Sequence, residues 1–145
     1  MQGFQLPIQI RWSDLDPNFH VRHSVFYDWG ALCRVAFLFR HGLTADHMTK
    51  MLFGPILFRE EAIFRKEIRP EDPVSIGLEL LKSKRDFSRW TIRHPIMKNP
   101  DTLSTILTVD GAWIDTVKRK LTVPPAEGAD AFNKMDKADE FTWMD

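Results

Sequence analysis

Cys33 is the only cysteine in the sequence, so intrachain disulfides and cysteine-rich zinc sites are excluded and an oxidising compartment is not required. Neither sign of charge is in excess. Twenty Lys and Arg cancel twenty Asp and Glu, which leaves no overall field to draw in nucleic acid or an anionic membrane. No run of about 18 apolar residues exists to span a bilayer. Residues 1–10, M-Q-G-F-Q-L-P-I-Q-I, lack the basic start and long apolar run of a secretory leader. Internal repeats, low-complexity tracts and linkers are absent too. These absences predict a soluble, cytoplasmic protein with neither a nucleic-acid nor a membrane partner. What is present is a chain of 145 residues, 43% of them hydrophobic, which suffices for one domain with a real core. The expected unit is residues 1–145, with 124–145 as a peripheral C-terminal tail.

Hydrophobic periodicity divides the chain. Leu6, Ile8 and Ile10 alternate with Gln5, Gln9 and Arg11 as in a first strand, and Pro7 marks it as an edge or a strand start. From Ser24 onward, Val25, Phe26, Trp29, Leu32, Cys33, Ala36, Phe37 and Phe39 recur near the helical period. Ser24 suits the N-cap, Arg40 and His41 the last turn, and Gly42 the C′ position. A helix of about 18 residues spans about 27 Å and can cross a small domain. Thr44 to Met51 reads as either another helical turn or a loop. Four strands follow, Ile56 to Ile68, Val74 to Lys82, Phe87 to Met97 and Leu103 to Val117, separated by turn residues. Past Pro124 the pattern allows a short helix near Ala129 to Met135 and then a frayed end. The expected architecture is α+β: a curved antiparallel sheet wrapped around one long central helix. Such a sheet has edges, and pairing one with a second copy predicts at least a homodimer.

Chemistry concentrates between Arg11 and Trp29, R-W-S-D-L-D-P-N-F-H-V-R-H-S-V-F-Y-D-W. Asp14, Asp16, Asn18, His20 and His23 lie within ten positions, directly before the long helix. Its first N–H groups and macrodipole favour developing negative charge, a setting suited to acyl transfer. Asn18 and His20 stand two and four residues from Asp16, a spacing that a loop can fold onto one reacting centre. His20 can act as base or donor, and Asn18 can orient a partner. Asp16 also has a plain structural reading, capping a turn or pairing with Arg11 or Arg22.

The order strand, D-x-N-x-H-V, H-S-V-F-Y, long helix, then E-I-R-P-E-D-P-V into a further strand resembles the hotdog-fold acyl thioesterases. Those related to hydroxybenzoyl-CoA thioesterase carry an aspartate before the central helix and, about seven residues on, a position where that helix opens, here Asp16 and His23. The string S-D-L-D-P-N-F-H-V, with Tyr27 and Trp29 beyond it, is similar to plant acyl-ACP thioesterases, except that Arg22 and His23 replace a pair of asparagines. The resemblance implies a helix enclosed by a sheet, active sites at a dimer interface, and a homodimer or dimer of dimers. It implies an acyl thioester of coenzyme A or acyl carrier protein as substrate, with no metal or redox cofactor.

On that resemblance the expected reaction is hydrolysis of an acyl-CoA to acid and thiol. Asp16 then serves as general base or as nucleophile, with His20 and Asn18 beside it. The backbone N–H of His23 or Ser24 steadies the oxyanion. Lys82, Lys84, Arg85, Arg89 and Arg93 make one strand turn basic, and Arg85 and Arg89 are the candidate phosphate-binding residues, against the alternative of a solvated hairpin. Glu60 and Glu61 read as strand or surface charges, Glu60 being an outside catalytic candidate. Two metal readings fail on paper. A calcium loop starting at Asp14 would have Phe19 in place of Gly and Val25 in place of Glu, and no ligand spacing typical of zinc is present. Alternative functions are a non-catalytic acyl-CoA-binding or regulatory module and an enoyl-CoA hydratase on the same fold; the tight Asp16 and His20 spacing and the single copy of the fold argue against the hydratase.

Overall fold

Period-two patterning in the second half of the chain becomes a sheet of eight strands: β1 (Gln5–Ile8), β2 (Phe53–Phe64), β3 (Val74–Gly77), β4 (Glu79–Lys84), β5 (Arg89–Lys98), β6 (Thr102–Asp115), β7 (Lys120–Leu121) and β8 (Lys137–Met144). Three helices accompany it, α1 (His23–Arg40), α2 (Ala45–Met51) and α3 (Ala126–Asn133). The computed structural model describes residues 3–144. β5 and β6 are central; β2 borders β6, while β3 and β4 follow one another along the far side of β5, flanked by β1 and β8. Pairing is antiparallel throughout except between β4 and β8.

The expected strand Val74 to Lys82 is broken at Leu78, and β5 supplies the reason. Pro95 has no N–H to donate, and it lies between the Ile76–Ile96 and Glu79–Arg93 pairs, where the ladder is interrupted. Beside the break, the Gly77 carbonyl accepts from His94 Nδ1 at 2.9 Å and from the Cys33 thiol at 3.6 Å. His94 Nε2 in turn accepts from Arg34 Nη1 at 3.0 Å, so Nδ1 carries the proton of a neutral imidazole. Burial, reinforced by the Arg34 charge, pushes the His94 pKa down to about 3, and burial pushes the Cys33 thiol up to about 12.

α1 packs Val25, Phe26, Trp29, Cys33 and Phe37 into the core, while Leu32 and Phe39 stand exposed on its outer face with Val35, contrary to the single apolar stripe expected. Its start also differs. Arg22, in extended conformation, is the N-cap residue, and the Ser24 hydroxyl accepts from Arg22 Nε at 3.2 Å instead of capping. The other end is as expected, with Arg40 in the last turn and Gly42 at φ +84° beyond it, a conformation that costs glycine little. Thr44 to Met51 resolves as helix, with the Thr44 hydroxyl accepting from the His47 N–H at 3.1 Å.

The segment after Pro124 is not the frayed end that its polarity suggested. Phe132 of α3 is buried against Trp90, Trp113 and Phe87, with ring centroids 5.2, 5.4 and 6.4 Å away. Ala131, Met135 and Ala138 are buried beside it, and β8 adds a strand along β4. Burying a phenylalanine contributes about 1.5–3 kcal/mol, enough to hold a short helix in place.

Candidate active site

The loop ahead of α1 is tied down at its base before it reaches any chemistry. A 3-10 turn, Trp12–Asp14, buries the Asp14 carboxylate, which accepts from the Arg11 backbone N–H at 2.8 Å and from the Arg11 guanidinium at 2.9 and 3.2 Å. Burial alone would raise its pKa; the Arg11 hydrogen bonds and charge, with Arg22 behind them, outweigh it and hold the pKa below the usual carboxylate range. Arg11 therefore serves Asp14 rather than Asp16. The Arg22 N–H donates to the Asp14 carbonyl at 2.9 Å, Leu15 and Val21 form a bridge, and the Val21 N–H donates to the Ile68 carbonyl at 2.9 Å.

Asp16 organises the tip. Its backbone N–H donates to the His20 carbonyl at 2.8 Å, and its carbonyl accepts from the Phe19 N–H at 3.0 Å. One side-chain oxygen, Oδ1, accepts from the N–H groups of Asn18 at 2.8 Å and His20 at 3.2 Å. Asp16 thus caps its own loop, the structural reading weighed against catalysis. Oδ2 nevertheless has no partner among the described residues, and Asp16 lines an open cleft of about 340 Å³ together with His20, Val21, His23, Phe26, Phe64, Arg65, Lys66 and Glu67. His23 and Phe26 belong to the first turn of α1, and the N–H groups of His23 and Ser24 have no acceptor among the described residues. Asp16 and the first residue of α1, His23, therefore share one cleft.

The remaining expected residues divide. His20 lies in the cleft with Nδ1 3.1 Å from Glu67 Oε2, which sets the orientation of its ring. Asn18 contributes its backbone to Asp16 and is exposed; its side chain does not line the cleft. Ser24 holds Arg22. Arg85 and Arg89 lie elsewhere: each guanidinium stacks on an aromatic ring, Arg85 on Trp143 at 5.1 Å and Arg89 on Phe58 at 4.9 Å, outside this cleft. Glu60 turns towards Arg34, 3.7 Å away. Arg65, Lys66 and Glu67 are cleft residues that sequence reasoning missed, and the string E-I-R-P-E-D-P-V, which begins with Glu67, was the available signal for that one. Among the described residues no group of three His, Cys, Asp or Glu side chains is placed to hold a metal ion. No helix among them is long and apolar enough to cross a membrane.

Residues 10–132 match the model of the thioesterase-like superfamily, and the chain belongs to that superfamily. The architecture is the hotdog fold, as solved structures show. A hypothetical protein of Staphylococcus aureus in complex with CoA superposes with a TM-score of 0.85 at 16% identity, over 99% of this chain and 90% of that one. The 1,4-dihydroxy-2-naphthoyl-CoA thioesterase of Synechocystis gives 0.80 at 16% identity, over 92% and 97%. A Thermus thermophilus thioesterase complexed with coenzyme A and Zn gives 0.75 at 21% identity, over 92% and 95%. A comparison with curated proteins gives no match.

Proposed function

We propose that this chain is an acyl-CoA thioesterase that hydrolyses its substrate with Asp16 as the principal catalyst. The observation carrying the reading is the unpartnered Oδ2 of Asp16 in a cleft walled by the opening turn of α1. Asp16 takes a proton from a water molecule whose oxygen attacks the thioester carbonyl. The N–H groups of His23 and Ser24 receive the oxyanion, and collapse of the tetrahedral intermediate breaks the C–S bond and releases acid and thiol. The protonated Asp16 gives that proton to the leaving sulfur, and His20, oriented by Glu67, lines the cleft beside it. Membership of the superfamily and CoA complexes of two proteins with this fold support coenzyme A as the carrier.

The working unit in this proposal is a homodimer joined along β2. Twelve residues long, β2 pairs only with β6 among the described strands, and its free edge carries half-exposed Leu57, Phe58, Ile63 and Phe64. A long apolar edge of this kind invites pairing with another strand.

A free-thiol release assay over short, long and aromatic acyl-CoAs tests the function. Release from at least one class, lost in Asp16→Asn, is expected. Saturable acyl-CoA binding with no thiol released from any member would instead make the protein a non-catalytic acyl-CoA-binding module.

A further inference from the structure

A cavity of about 150 Å³ lies along the C-terminal half of α1. Leu38, Trp90, Phe132 and Met135 wall it and are buried, while Val35 and Leu57 border it half-exposed. Phe132 and Met135 belong to the segment after Pro124, which therefore closes one side of the cavity. An engineered cavity of the same size with apolar walls stays dry and takes up benzene. This hollow shares no residue with the Asp16 cleft. His23 of that cleft and Arg34 of this cavity stand about three turns apart on α1, or about 16 Å at the helical rise.

Among the described residues that line the cavity, Arg34 alone carries a charge. Its side chain is only 11% exposed. Nη1 donates to His94 Nε2 at 3.0 Å, and Nη2 stands 3.7 Å from Glu60 Oε2, too far for a hydrogen bond. A guanidinium has five N–H donors, and no further acceptor among the described residues meets this one. Burial holds its pKa below the ordinary value although Glu60 opposes the shift. A largely buried cation with unfilled donors beside an apolar hollow matches a ligand that brings a carboxylate on an apolar body.

We propose that this cavity is a second binding site, for a small free monocarboxylic acid, with the aryl or short alkyl body among Leu38, Trp90 and Phe132 and the carboxylate on Arg34. The inference goes beyond the thioesterase reading and does not rest on it. A neutral occupant, including an apolar side chain of a second copy, would leave the Arg34 donors unfilled. The volume suits about one ring, and a peptide segment exceeds it.

Benzoate and hexanoate are the probes, with benzyl alcohol as the uncharged counterpart. Each is titrated into wild type, Arg34→Gln, Val35→Phe and Asp16→Asn by ligand-observed NMR. Arg34→Gln retains N–H donors and removes the charge, whereas Val35→Phe adds bulk at the edge of the cavity and leaves Arg34 in place. The expected result is saturable binding of at least one acid, weakened roughly tenfold or more by Arg34→Gln, lost in Val35→Phe and unchanged in Asp16→Asn. Benzyl alcohol binds wild type more weakly than benzoate does. Failure of both acids to bind wild type, or equal affinity in folded Arg34→Gln, overturns the proposal. So does weaker binding in Asp16→Asn or competitive inhibition of thiol release, since either places the acid in the catalytic cleft. A Val35→Phe effect on oligomer size with acid binding intact overturns it too, by giving that edge to a second copy. Should Arg34→Gln fail to fold, Val35→Phe and the comparison of benzoate with benzyl alcohol decide. Arg34-dependent acid binding without thiol release removes only the catalytic reading.

Discussion

The proposed mechanism gives Asp16 two tasks, one for each oxygen, and substitution can separate them. Oδ1 fixes the loop through the Asn18 and His20 amides, and Oδ2, without a partner among the described residues, is the proposed base. Asparagine retains a side-chain carbonyl for the first task and removes the charge needed for the second. Asp16→Asn is therefore expected to fold with an unchanged melting temperature and to lose about 10²–10⁴-fold in kcat. Asp16→Ala removes the amide acceptor as well, which costs about 0.5–2 kcal/mol by comparison with other side-chain caps. A thermal melt beside a thiol-release assay distinguishes the two, and full turnover in Asp16→Asn would leave Asp16 as a cap alone. Within the site, legibility followed distance along the chain. Asp16, His20 and His23 were readable because one loop and one helix start bring them together. Glu67 was not, because it joins His20 only after β2 and the residues following it have run back beside α1. The Asn18 side chain points elsewhere for a local reason, since Asp16 takes its N–H and leaves the amide outside.

Among the elements, β2 carries the strongest prediction. Its free edge repeats half-exposed apolar side chains, and a charge placed there opposes self-pairing. Ile63→Lys is expected to turn a dimer into a monomer in sedimentation and to lower thiol release with it; a dimer that persists with full activity would move the junction away from β2. On the other side of the same strand, Gly111 lies opposite Leu57 at the bulge between Leu57 and Arg59. A Cβ at position 111 would come within 2.5 Å of the Ile56 carbonyl oxygen and press on the Trp90 ring. Backbone cannot yield as a flexible side chain can, so Gly111→Ala is expected to cost about 1–3 kcal/mol, read as a lower denaturation midpoint. Most of these elements could be read from period alone: α1 from its recurring apolar residues, and β5 and β6 from alternation. β8 could not, because it depends on parallel pairing with a strand more than fifty residues earlier and on the burial of Phe132 and Met135 just before it. The outer face of α1 misled for a related reason. Leu32 and Phe39 follow the helical period as faithfully as Cys33 and Phe37, and only the position of the sheet decides which set is buried.

At the scale of the molecule, His94 links the helix to the sheet. Its imidazole lies between Arg34 of α1 and the Gly77 carbonyl at the break between β3 and β4. Protonation would set a second buried positive charge against the Arg34 guanidinium, which explains the direction of the shift to about 3. In the unfolded chain the same side chain takes up its proton near the usual histidine pKa of about 6.5. Between those values the unfolded state binds more protons than the native state. Stability is therefore fully present above about pH 6.5 and falls as the pH drops, with a slope approaching about 1.4 kcal/mol per pH unit. His41 adds a contribution of the same sign, because burial, Lys134 and Arg40 hold its pKa below the ordinary value. The interval from about pH 6.5 down to 5.5 lies above most carboxylate titration, so the histidine slope can be read there by urea denaturation. His94→Asn keeps an N–H donor for Gly77 and cannot take up a proton. It is expected to be less stable at pH 7.5 yet to show a shallower decline to pH 5.5, and a decline as steep as that of the wild type would place the pH dependence on groups other than His94.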